Sequence, residues 1–69
     1  MSMTAKAREL VEHIEMLNQR QSYRFYQQTD GTDINAFLAQ PEEQQVLDEI
    51  VHLTRELDEE LERVKQSAA

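Results

Sequence analysis

Glu49 and His52 stand three residues apart in the segment EIVH. This is the Glu-x-x-His spacing by which one helix face offers a carboxylate and an imidazole to a shared ion in carboxylate-bridged di-metal bundles. A centre of that class needs both ligands inside the bundle, together with further glutamates from neighbouring helices. With Ile50, Leu57 and Val64 facing inward, His52 falls on the outer side of its helix and Glu49 on the flank. The pair therefore reads first as two surface residues, and a carboxylate/histidine di-metal bundle is the alternative. No cofactor is expected. His13 follows Glu9 by one helical turn, the spacing of a surface ion pair.

Other catalytic groups are scarce. The chain has no cysteine and a single glycine, so it offers neither a thiolate nucleophile nor a glycine-rich phosphate loop. Ser2, Ser22 and Ser67 have no histidine within a recognisable relay. The expectation is a protein without enzymatic activity.

One short stretch has binding character instead. Tyr23, Phe25 and Tyr26 are three of the chain's four aromatic residues, and they surround Arg24. On a helix, Tyr23 and Tyr26 share a face with Arg20, Arg24 and Gln27, while Phe25 leans towards the opposite side. Two arrangements follow. In one, Ile34, Phe37 and Leu38 fold back over the tyrosines and close the end of the fold. In the other, Arg20, Tyr23, Arg24 and Tyr26 stay exposed as a patch for a protein partner, since tyrosine and arginine often anchor interfaces.

The elements that position these groups are helices. Ala7, Leu10, Ile14 and Leu17 alternate at three and four residues, with Val11 and Phe25 on the shoulder of that stripe. This predicts a first helix over about 4–28, capped by Thr4 and stopped at Asp30 and Gly31, which tolerate positive φ. Pro41 suits a first helical position, and Glu42 and Glu43 face the positive end of the helix dipole, so a second helix is expected over about 41–66. Leu47, Ile50, Leu57, Leu61 and Val64 form one seam on it, with Thr54 in the middle. Val46, Ile50, Leu53, Leu57 and Val64 form an overlapping one. Between the helices, Asp33 is a candidate cap for a short helical turn carrying Ile34, Phe37 and Leu38. A short connection dictates an antiparallel hairpin. Two registers are open: Leu10 beside Leu61 with Gln21 near Ile50, or Leu10 beside Leu57 with Leu17 near Ile50. Lys6 and Arg8 then come close to the carboxylates at the end of the second helix. Gln21 sits at a core position, where a buried amide fixes register, or else lies in water at the rim.

Size and charge complete the expectation. A chain of 69 residues has a thin core and usually gains stability from disulfides, a metal or self-association; without cysteine, self-association is the expected route. The apolar face of the second helix is wider than one helix contact requires. The fold class expected is therefore all-α: a single helical-hairpin domain that dimerises into a four-helix bundle. Val11, Phe25, Leu47, Leu53 and Leu61 are the candidate interface residues. Ten of the fourteen acidic residues lie after Gly31, and so does the whole net charge of −7. That field opposes direct contact with nucleic acid. No apolar run marks export or membrane insertion, and the expected location is the cytoplasm. The function expected is a homo-oligomeric module that binds another protein, as an adaptor, chaperone-like protein or regulator. The alternative from another class is an acidic mimic of nucleic acid that blocks a DNA- or RNA-binding protein.

Overall fold

The computed structural model describes residues 3–68, all of whose regular structure is helical. The first helix, α1 (Ala5–Thr29), starts where Thr4 takes an extended conformation and its Oγ1 accepts a hydrogen bond from the Ala7 amide at 3.1 Å. It stops where Asp30 turns left-handed (φ 55°) and donates its N–H to the Tyr26 carbonyl. Gly31 continues the turn at φ 84°, and a Cβ there would lie 2.9 Å from Cε1 of Tyr26. The backbone thus favours glycine there, and a larger residue would also have to push the exposed Tyr26 ring aside.

A single short helix, α2 (Ile34–Leu38), follows, capped by Asp33 through a bond from the Ala36 amide to Oδ1. The long α3 (Pro41–Ala68) begins at Pro41 as the sequence predicts, with Glu42 and Glu43 in its first turn and Lys65 in its last. The Gln44 side chain donates to the Leu38 carbonyl and ties α3 to the end of α2. α1 is shifted by one residue from its expected limits, and α3 runs two residues past its expected end. No described helix is long and apolar enough to cross a membrane.

The two long helices run side by side and antiparallel. Their register lies within about one turn of the second alignment the sequence left open, Leu10 beside Leu57, and excludes the first. Thr4 bonds Glu60, Gln21 bonds Glu43 and His13 approaches Glu49. These pairs set Ile14 level with Ile50, and Leu10 level with Leu53 and Thr54, about one heptad from the Leu10–Leu61 alignment. The physical reason lies at the ends. Polar clamps join the helices near each end, and α2 consumes the connection by plugging the turn. Phe37 is 1% exposed, with its ring centroid 5.4 Å from that of Phe25 at 58°, a tilted edge-to-face contact.

The interior of this pair is small. Among the described residues, the buried apolar side chains are Ala7, Leu10, Phe37 and Leu53. The molecule measures 48 × 18 × 14 Å, with a radius of gyration of 15.2 Å. A compact chain of this length has about 11 Å.

Candidate functional site

Two buried carboxylates sit in the seam between the long helices, one near each end of α3. Glu43 is 2% exposed, and its carboxylate receives a forked pair of bonds from Arg24, Nε to Oε2 and Nη2 to Oε1, both 2.8 Å. The Gln21 amide adds a bond to Oε1 at 3.2 Å and a longer one to the Glu43 carbonyl at 3.4 Å. Arg24, opposing the cost of burial, holds the Glu43 carboxyl below its usual range, with help from Gln21. Gln21 is therefore a buried, satisfied core amide and not a rim residue.

Glu60 plays the corresponding part at the open end. It is 3% exposed and accepts from Arg63 (Nη2, 2.6 Å) and from the Thr4 hydroxyl (2.8 Å). Arg63 above all, then Thr4, keeps its carboxyl below the ordinary range, and the charge of Lys6 contributes in the same direction. Thr4 caps α1 through its acceptor and clamps α3 through its donor.

The Glu49–His52 pair takes the outer position that the sequence indicates. His52 is exposed and its Nε2 lies 2.8 Å from a carboxylate oxygen of Glu56 one turn on, while Glu49 is half exposed and lies 3.6 Å from His13. His13 thus pairs across the hairpin rather than with Glu9, because the register brings Glu49 level with it. Among the described residues no group of three histidine, aspartate or glutamate side chains is arranged to hold a metal ion.

The tyrosines are open. Tyr23 and Tyr26 are 64% and 63% exposed, and Gln27 donates to the Tyr23 hydroxyl at 2.9 Å. Phe37 seats against Phe25 on the inner side, and Ile34 itself is half exposed, so the arrangement in which α2 covers the tyrosines does not form. Arg24 leaves the proposed patch because Glu43 engages its guanidinium. Arg20 remains on the exposed side with the two tyrosines.

The opposite side of the hairpin is apolar and only partly covered. Val11, Ile14, Phe25, Leu38, Leu47, Ile50 and Leu57 are all half-buried. Val51 and Leu61 are 56% and 46% exposed. Leu53 departs from the expected interface set: at 8% exposure it is spent against α1. Two open notches mark this face. One lies beside Phe25, Ile34, Leu38 and Leu47 at the turn end. The other is bounded by Ile50, Val51, Thr54, Arg55 and Asp58 midway along α3.

Sequence reasoning missed Glu43 and Glu60. The signal was available: extending the seam of Val46, Ile50, Leu53, Leu57 and Val64 by its own three-four rhythm reaches Glu43 at one end and fills its gap with Glu60. Comparison with protein-family models, curated proteins and solved structures finds no match to the chain.

Proposed function

We propose that this chain is a non-catalytic protein-interaction module that works as a homodimer, two hairpins meeting on their apolar sides as a four-helix bundle. The observation that carries the reading is surface area. A compact monomer of 8.1 kDa presents about 4500 Å² of accessible surface. This chain presents 5305 Å². The excess, about 800 Å², matches what each partner contributes to an ordinary specific interface. The side of the molecule that carries the half-buried Val11, Phe25 and Leu47 and the exposed Val51 and Leu61 is the apolar surface offered for it.

A second copy covering that side leaves Arg20, Tyr23 and Tyr26 outward, on the other side of α1. In this reading they contact a further protein, which makes the dimer an adaptor, a chaperone-like protein or a regulator. The cysteine-free composition suits a reducing compartment, and the cytoplasm is the proposed location.

Thermal unfolding followed by circular dichroism at several protein concentrations tests the dimer. Folding coupled to pairing makes the midpoint climb with concentration. A midpoint that stays fixed from micromolar to near-millimolar protein contradicts the proposal.

A further inference from the structure

We infer that the second copy docks antiparallel on α3, with the two-fold axis at Thr54, so that Leu61 of each copy seats beside Leu47 and the turn-end notch of the other. This rests on the self-association proposed above and specifies its geometry. Leu47, Thr54 and Leu61 are spaced by heptads and form a single column beside the seam that α3 spends on α1. The column reads the same in both directions, leucine, threonine, leucine. An axis at its centre therefore sets leucine on leucine at both ends and the smaller Thr54 on Thr54 at the mid-helix notch. The Thr54 hydroxyl already donates to the Ile50 carbonyl at 2.7 Å. Covering it leaves no polar group without a partner.

The uneven ends of the hairpin select the same direction. Glu60 is level with Thr4 at the start of α1, and α3 runs on to Ala68. This overhang, about 12 Å long at 1.5 Å per residue, carries Leu61 and Val64 past the last turn of its own partner helix. At the other end, the notch of Phe25, Ile34, Leu38 and Leu47 is unfilled. Antiparallel docking lays the overhang of one copy on the turn end of the other. Parallel docking pairs overhang with overhang and notch with notch, so neither notch receives the overhang of the other copy.

Charge along the rim is divided, since an axis at Thr54 also sets the two Arg55 residues about 3 Å apart along the axis, where they repel, so the direction rests on the uneven ends. A parallel pair stacks Asp58 on Asp58 and Glu62 on Glu62, which is repulsive. With the axis at Thr54, Arg55 of one copy stands about 7.5 Å along the axis from Asp58 of the other, and Lys65 stands at the same offset from Asp48. Those distances are within the combined reach of the side chains.

The natural absence of cysteine makes cross-linking a clean test. Leu61→Cys and Leu47→Cys proteins are prepared separately, checked for native helicity and mixed under mild oxidation. The expected result is a covalent dimer from the mixture and little from either variant alone. Efficient cross-linking of Leu61→Cys with itself overturns the antiparallel geometry while leaving the dimer intact. A chain of natural sequence that sediments as a monomer at hundreds of micromolar overturns the dimer, and the inference with it. Thr54→Arg provides a second reading at an exposed position, independent of the leucines. It is expected to weaken association at least about tenfold by setting like charges on the axis, and unchanged association overturns the inference.

Discussion

At the scale of single residues, the hairpin is held in register by two carboxylates that water hardly reaches. Glu43 and Glu60 sit one near each end of α3, and each is satisfied by an arginine and a second donor. A buried carboxylate without partners is costly, so sliding α3 by a turn would strip Glu43 of Arg24 and Gln21 and would cost Glu60 its bond from Thr4, while Arg63 travels with it on α3. Glu43→Gln keeps the size of the side chain and loses the charge-assisted fork. It is expected to cost about 1–3 kcal/mol at neutral pH, read by chemical denaturation. The sign of the pH effect follows from the depressed carboxyls. Their contribution is complete above the ordinary value of 4.5 and is lost as pH falls through the lower folded-state values. The difference in stability between the natural chain and Glu43→Gln should therefore shrink as the solution is acidified below 4.5; a difference that holds or grows would contradict the ion-pair account. Thr4 offers a companion test at the other end. Thr4→Val removes both the cap and the clamp, with an expected loss of about 1–2 kcal/mol, whereas Thr4→Ser should restore most of it.

At the scale of elements, the helices, their caps and the short middle helix were legible because local rules govern them. Thr4, Asp33 and Pro41 act where their chemistry predicts, and Asp30 with Gly31 stops α1. Gly31→Ala is expected to destabilise by about 1 kcal/mol or more, because a left-handed φ and the Tyr26 ring both oppose a Cβ. A thermal melt that matches the natural chain would mean that the turn relaxes freely. Register was not legible, for a specific reason. The apolar face of α3 carries two overlapping columns, and apolar contacts alone favour several alignments about equally. What decides between them is the position of Glu43 and Glu60, which a search for apolar residues passes over. The tyrosines illustrate the same limit. Helical spacing placed Tyr23 and Tyr26 on the outer side, but which aromatic ring Phe37 would meet depended on how the connection folds. It meets Phe25.

At the scale of the whole molecule, the hairpin is long, thin and short of interior. Its buried apolar residues are few, and the half-buried ones share a side with the exposed Val51 and Leu61. In the dimer we propose, pairing would offset this deficit by converting that side into a shared core, the usual way in which small helical chains gain stability. The tyrosines stay outside that core, so Tyr23→Ser with Tyr26→Ser should leave helicity and pairing as they are. Loss of dimer in that double variant would place the tyrosines in the self-interface. The most direct measurement of the central claim is sedimentation equilibrium of the unaltered chain over a wide concentration range. A mass that rises to twice 8.1 kDa with intact helicity is the predicted result. A folded species that keeps the mass of one chain throughout would contradict it.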